Sequence, residues 1–399
     1  MNEENKKEIL DAQDKFVMKT YAPNLLLEKG EGCYLWDADG NKYLDLTAGI
    51  AVCNIGHCNA KVAKAIAKQA NKLVHVSNLF INEQQPLLAK KLIEFAGFDG
   101  TAFFANSGAE ANEGMIKLAR KYGNKTDRNE IIVMEESFHG RTLAALAATG
   151  RQKYRDGFAP NTSGFTHVEY NNFEAIKNAV TDKTAAILLE PIQGEGGIVP
   201  SSKDYLSKVR QLCDDKDILL MFDEVQCGIG RTGTFYGFQQ FDIEPDIIAL
   251  AKGLGNGFPI GAIVAKQKFS DVLTLGTHAS TFGGTPLACA AANATLDVIK
   301  DENLLENCCE VSKYAFEELN KLKKKYSFIK EVRGQGLMIG IDIGQPLGDL
   351  LAKLKAEKVL ALPAGETVLR LLPPLTITKE EIKIGIDAID KCFGMMIDA

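Results

Sequence analysis

No run of apolar residues in this chain approaches the roughly 18–20 needed for a membrane-spanning helix. Cysteine never occurs as a C-x-x-C pair, and the nine cysteines are an odd number scattered over 399 positions. Neither a disulfide framework nor a zinc ribbon is in view. The nearest approach to a metal cluster, Cys53, His57 and Cys58, has no second ligand pair at a fitting distance, so ordinary thiols and no metal are expected. Positive charge is in deficit: 46 Lys and Arg against 52 Asp and Glu leave a net −6. That lacks the basic footprint of a nucleic-acid binder and argues against an anionic-membrane ligand. Residues 1–8 are too acidic for a transit peptide and contain no apolar core of a secretory signal. Internal repeats and low-complexity tracts are missing too. The expectation is a cytoplasmic protein that binds neither nucleic acid nor membrane.

What is present is 46% apolar and 25% charged residues, the mixture of a globular chain with a sizeable core. Between about residues 60 and 265, short apolar runs alternate with helical periodicity. Val62, Ile66, Ala70, Leu73 and Val76 share one helical face, and Ala111, Met115, Leu118, Ala119 and Tyr122 share another, stopped by Gly123. Runs at 101–105, 131–134, 185–189, 218–222, 246–250 and 260–264 read as buried strands. Such alternation indicates an α/β protein with a mainly parallel sheet covered on both faces. Beyond Pro286 the pattern changes to long helices over 287–299 and 304–326, short strands at 337–343 and 368–372, and a last helix over 380–393. The expected division is a large domain, 55–283, and a smaller discontinuous α/β domain made of 1–54 and 284–399.

A literal G-x-G-x-x-G stands at 228–233, soon after a strong strand. It fails as a dinucleotide fingerprint, because the following Thr234-Phe235-Tyr236-Gly237-Phe238 does not open a helix. A sharply bending loop is the better reading. The more convincing anion site is Asn106-Ser107-Gly108-Ala109, where a strand end meets a helix start and free backbone N–H groups converge. A plain helix cap fits the same residues. Asp223 ends one apolar strand and Lys252 another, and at the carboxyl edge of one parallel sheet both would face one crevice. A desolvated Lys there suits imine chemistry and a nearby carboxylate suits a protonated ring nitrogen; a structural ion pair fits the spacing equally well. Arg370, inside Val368-Leu369-Arg370-Leu371-Leu372, is a charge in an apolar strand and needs a partner. Lys330, Arg333 and the run 323–325 read as solvent-facing.

Five blocks together resemble the class III (ω-amino) aminotransferases: Ser107-Gly108-Ala109-Glu110-Ala111-Asn112, Phe138-His139-Gly140-Arg141-Thr142, Glu190-Pro191-Ile192-Gln193-Gly194-Glu195-Gly196-Gly197, Phe222-Asp223-Glu224-Val225-Gln226 and Ala251-Lys252-Gly253. Their order and spacing match over nearly the whole chain. The resemblance implies fold type I, with a mainly parallel seven-stranded sheet in the large domain, and pyridoxal 5′-phosphate as cofactor. It makes Lys252 the lysine that bonds the cofactor and shuttles the proton, and Asp223 the partner of the ring nitrogen. Phe138 and Val225 would cover the two ring faces, and Gln226 would meet the ring hydroxyl. Ser107, Gly108 and Ala109 would cradle the phosphate, which Thr281 would reach from the neighbouring subunit of a homodimer. Tyr21-Ala22-Pro23, Gly56-His57-Cys58, the segment 223–232 and the Phe138–Thr142 block resemble the members whose amino donor is acetylornithine and whose acceptor is 2-oxoglutarate, in a ping-pong exchange serving arginine biosynthesis. Arg141, with Ser280 nearby, would take the donor carboxylate; Glu195 would pair with Arg370 and release it for the acceptor. Other ω-amino donors, a nicotinamide oxidoreductase and a non-catalytic relative are the competing readings. Two departures from the family pattern are Ala109, where many relatives carry Thr, and Gly284, where Asn often precedes Thr285-Pro286.

Overall fold

The computed structural model describes residues 1–397. Apolar runs too short for helices become strands that are buried on both faces: every residue of Thr184–Leu189 and of Ile247–Leu250 is buried. Seven strands among the described residues form one sheet, in the spatial order Gly100–Ala105, Gly261–Lys266, Ile247–Leu250, Leu219–Asp223, Thr184–Leu189, Glu130–Met134 and Phe165–Val168. All run parallel except Gly261–Lys266, which is antiparallel to both neighbours. Six of the seven follow the sequence reading to within a residue or two. Phe165–Val168 escaped it because this edge strand is only partly buried and carries Thr166 and His167, which break the apolar run.

The carboxyl edge of this sheet is where ligands bind in such folds. Ser107 follows the strand ending at Ala105, Glu190 follows Leu189, Asp223 ends its own strand, and Lys252 follows Leu250. The segment with the G-x-G-x-x-G spelling is a chain of turns, with Ile229 at φ 53° and Gly230 at φ 85°, and only a short 3-10 helix, Gly237–Phe241, comes after it.

Two four-stranded sheets sit outside this frame, besides a two-stranded ladder of Ile192–Gln193 and Val199–Pro200. Leu27–Glu31, Tyr34–Asp37 and Lys42–Asp45 form an antiparallel meander that Val359–Leu360 joins in parallel, so the first fifty residues are stitched to the C-terminal part. The second sheet is antiparallel, with order Glu331–Gln335, Met338–Asp342, Val368–Leu371 and Leu362–Ala364. Helix Leu304–Lys325 packs on this sheet and on helix Lys379–Ile397. Helix Pro286–Asp301 lies mainly against helices Ala60–Lys72 and Gln84–Ala96 and also touches Leu304–Lys325, bridging the two parts. Helix Glu3–Phe16 has no buried residue, which is why no apolar stripe announced it. Arg333 departs from its solvent-facing expectation. Its side chain is largely buried, donating from Nε to Gly197 O and Ile198 O and pairing with Asp342. Among the described residues no helix is long and apolar enough to cross a membrane.

Candidate active site

A cavity of about 460 Å³ opens at the carboxyl edge of the large sheet. On one side Ser107 caps helix Gly108–Gly123, its Oγ accepting from Glu110 N at 3.2 Å. The first N–H groups of that helix lie too early in it to find helical acceptors. A Cβ on Gly108 would stand 2.8 Å from Val225 Cγ1, so only glycine lets the backbone and Val225 approach this closely. Together these residues leave a donor-rich hollow at the positive end of a helix dipole, suited to a phosphate.

Asp223 lies deeper. Its Oδ2 accepts from Asn112 Nδ2 at 2.7 Å and lies 2.8 Å from His139 Nδ1, while Oδ1 accepts from Val225 N at 3.0 Å. Asn112 Nδ2 also donates to His139 O at 2.7 Å, which fixes the pair that holds the carboxylate. Phe138 and Val225 line the cavity beside it. Neither Asn112 nor His139 was given a role from sequence. Asn112 sits one helical turn beyond Gly108 on the inner face, and that spacing was the available signal.

Lys252 reaches the same cavity from the other strand end. Its backbone is left-handed, at φ 43°, a conformation costly for a residue with a Cβ and frequent where a site dictates geometry. Burial pushes its amine below the ordinary lysine range, partly opposed by the negative charge of Glu195. Among the described residues no ion pair includes Lys252, and Asp223 is engaged by Asn112, His139 and Val225. The structural Asp223–Lys252 ion pair that the spacing allowed is therefore not formed.

Across the cavity, Arg370 Nη1 lies 2.5 Å from Glu195 Oε1 and 3.4 Å from Gln226 Oε1. The Arg370 side chain is only 3% exposed and that of Glu195 23%. Burial would raise the Glu195 pKa, but the charge and hydrogen bond of Arg370 outweigh it and hold the carboxyl below its usual range. Arg141 is the opposite case. It is exposed, has no acidic partner among the described residues, and lies over the rings of Tyr154 at 4.0 Å and Phe138 at 5.4 Å. The two rings meet edge to face, 5.9 Å apart. Tyr154 gave no signal in the sequence, because it stands outside the recognisable blocks.

Glu190 joins two walls of the site: Oε1 accepts from Phe138 N and Oε2 from Gly194 N, both at 3.0 Å. Burial raises its pKa, opposed by His139. Ser280 and Thr281 do not line this cavity. They border an adjoining hollow with Asn106, Glu110 and Glu113, where Ser280 Oγ accepts from Asn106 Nδ2 at 3.2 Å. The structure thus gathers Lys252, Asp223, Ser107, Gly108, Ala109, Phe138, Val225, Gln226, Arg141 and Glu195 around one cavity, with Arg370 behind Glu195. It does not bring Ser280 or Thr281 to it within one chain.

The family model for class-III aminotransferases matches residues 17–393, and the chain belongs to that family, whose members use pyridoxal 5′-phosphate. The residues present fit this cofactor: a buried lysine without an ion-pair partner among the described residues, an aspartate fixed in the same cavity, and a cradle that a Cβ at Gly108 would fill. Over 389 residues the chain is 51% identical to the acetylornithine aminotransferase of Methanocaldococcus jannaschii, covering 96% of this chain and 97% of that one. It is 48% identical to the acetylornithine aminotransferase of Oceanobacillus iheyensis, covering 94% of each. Among solved structures, an ornithine aminotransferase from Toxoplasma gondii superposes with a TM-score of 0.94 at 34% identity, over 98% of this chain and 96% of that one.

Proposed function

We propose that the protein transfers the terminal amino group of N2-acetyl-L-ornithine to 2-oxoglutarate, yielding N-acetyl-L-glutamate 5-semialdehyde and L-glutamate. The observation that carries this reading is the contrast between two cations in one site, Arg141 without an acidic partner among the described residues and Arg370 neutralised by Glu195. Acetylornithine has a carboxylate several bonds from its reacting amine and nothing charged next to that amine. It suits a site with a free cation at a distance and a masked one close by. The 45–51% identity to acetylornithine aminotransferases supports the same substrate.

Pyridoxal 5′-phosphate supplies an aldehyde carbon that takes up the amino group and a ring that draws electrons from the reacting carbon. Ser107, Gly108 and Ala109 would bind its phosphate, Phe138 and Val225 would cover the ring, and Gln226 would meet the ring hydroxyl. Asp223, oriented by Asn112 and His139, would hold a proton on the ring nitrogen. Removing that buried partner costs about 3–5 kcal/mol, equivalent to roughly two to three and a half orders of magnitude in rate. Lys252, whose amine burial pushes below the ordinary lysine range, carries the proton to and from the reacting carbon. Arg141 takes the donor carboxylate in a planar fork. In the second half-reaction Glu195 turns aside and Arg370 grips the α-carboxylate of 2-oxoglutarate.

The division into domains at 55–283 and 1–54 with 284–399 belongs to this reading, as does a homodimer. The large apolar side chains Leu79, Phe80, Ile81, Leu275 and Phe282 are exposed. They are what a second copy would cover, bringing Thr281 to its neighbour's phosphate site. Free thiols at all nine cysteines among the described residues fit a reducing cytoplasm.

The test is steady-state kinetics of the holoenzyme with acetylornithine, succinyl-diaminopimelate, ornithine and 4-aminobutyrate as donors. Acetylornithine should have the highest kcat/KM. A higher value for any of the others would replace the substrate assignment.

A further inference from the structure

Glu195 cannot leave Arg370 without a destination. Its side chain is mostly buried, and an uncompensated carboxylate in such a place is costly. The backbone that carries it is fixed on both sides. Before it, Gly194 N donates to Glu190 Oε2 at 3.0 Å and Gln193 Nε2 to Glu135 O at 2.8 Å. After it, Arg333 Nε donates to Gly197 O at 3.0 Å and Ile198 O at 3.2 Å. A Cβ on Gly196 would stand 2.6 Å from Gln193 Oε1 and 3.0 Å from Glu136 O, so the loop is packed tightly against the segment after strand Glu130–Met134. The Glu195 side chain, rather than its loop, is the part free to move.

Three cations oppose the effect of burial on this carboxyl: Arg370, Lys252 and Arg151. Lys252 is needed at the reacting carbon, which leaves Arg151. Its side chain is only 9% exposed, and Nε lies 2.8 Å from Glu136 Oε2, a carboxylate that is itself 60% exposed and well solvated. Among the described residues the Nη atoms of Arg151 donate to no acceptor. One of them, Nη2, lies 3.4 Å from where a Cβ on Gly365 would be, in the hairpin leading into strand Val368–Leu371, which bears Arg370. Arg151 therefore borders the Glu195 loop through Glu136 and the Arg370 strand through Gly365, with two donors unspent.

We infer that Arg151 is the second acceptor of the Glu195 carboxylate, receiving it when a dicarboxylate claims Arg370, and so helps set how well the site admits 2-oxoglutarate. The inference rests on the reading that Glu195 masks Arg370. Arg151 is a positioning residue here, since it acts through Glu195 and touches neither substrate nor cofactor. With Arg151 gone, Glu195 has one partner only, and the acceptor must displace it into an unfavourable place.

The experiment compares holoenzyme carrying Arg151→Gln, Arg151→Lys, Glu136→Gln, Glu195→Ala and the Arg151→Gln/Glu195→Ala pair. Each half-reaction is followed by stopped-flow absorbance, and binding of glutarate, a dicarboxylate without the keto group, by calorimetry. Arg151→Gln should weaken glutarate and slow the 2-oxoglutarate half-reaction by about tenfold or more relative to the acetylornithine half, with Arg151→Lys restoring most of it. Glu136→Gln should not reproduce that loss, because a mere structural Glu136–Arg151 pair would fail equally from either side. In the Glu195→Ala background, Arg151→Gln should change the ratio of the two halves by less than about twofold, there being no carboxylate to receive. Equal slowing of both halves, or a loss that persists in full with Ala at 195, would overturn the role of Arg151. Glu195→Ala alone reports on the masking: if it leaves the preference between glutamate and acetylornithine unchanged, the masking itself is wrong, whatever Arg151 does.

Discussion

Arg141 stands exposed over a tyrosine ring with no acid beside it, whereas Arg370 is buried in a strand and paired at 2.5 Å. The same side chain thus has two energetic situations, and mutation should separate them. Replacing Arg141 with Ala should lower kcat/KM for acetylornithine by about 2–4 kcal/mol, the scale of losing a charge-assisted pair in a closed site. A simple amine without the distant carboxylate should lose much less, and equal losses for both donors would make Arg141 structural. Tyr154→Leu should produce a weaker version of the same pattern, by about 0.5–2 kcal/mol, with Tyr154→Phe near wild type because the ring face is what holds the guanidinium. Replacing Arg370 with Ala should slow the 2-oxoglutarate half-reaction by orders of magnitude and spare the acetylornithine half. Stopped-flow spectra of the two halves, recorded separately, check this directly.

At the scale of elements, the meander of the first fifty residues is fastened to the large sheet's side of the molecule at His57. The peptide groups of Gly32 and His57 exchange two hydrogen bonds, at 2.8 and 3.1 Å, and His57 Nε2 lies 2.7 Å from Asp45 Oδ2. The hydrogen bond to Asp45, assisted by Cys53, lifts the imidazole from its ordinary 6.5 to about 10. A group whose pKa rises on folding stabilises the fold fully below its unfolded value and loses that contribution as pH climbs through the folded one. The wild type should therefore lose about 1–2 kcal/mol between pH 6.5 and 10 relative to His57→Gln, a figure reduced for partial solvent screening. Urea denaturation of both proteins across that range measures it; parallel pH profiles would show that the imidazole is not charged in the fold.

The same scale explains what could be read in advance. Strands such as Thr184–Leu189 are continuous apolar runs because both faces are covered, and the residues at their ends stand out as polar letters in an apolar context. The positions of Ser107, Asp223 and Lys252 were legible for that reason, whereas Glu195 was marked only by the family resemblance. Arg151, Tyr154 and Arg333 were not, because their roles come from partners that no local pattern marks: Glu136 and Gly365, the Arg141 guanidinium, and the carbonyls of Gly197 and Ile198. Arg333 read as surface charge since nothing local marks a guanidinium that is to be spent on two loop carbonyls.

For the molecule as a whole, the separation of Thr281 from its own chain's cavity gives the proposed homodimer a direct test. Lys252→Ala and Thr281→Ala homodimers should each be defective, the second mainly in cofactor affinity. Refolded together, they should form hybrids in which one site has both native residues and regains tight cofactor binding and up to about half the activity. If Thr281 served its own chain, no hybrid site would be complete and mixing would restore nothing.

Strand Gly261–Lys266 is the last of its sheet to be synthesised, yet it lies between Gly100–Ala105 and Ile247–Leu250. On the ribosome, the first strand must wait for its only sheet partner through more than 150 residues of further synthesis, roughly 8–30 s at about 5–20 residues per second. During that interval Phe103 and Phe104 sit on an unpaired edge, the kind of template on which nascent chains associate. Release of chains ending before Gly261 should give aggregates seeded by that edge, and a chaperone that shields extended apolar segments should bind nascent chains of this length more than chains that extend past Lys266.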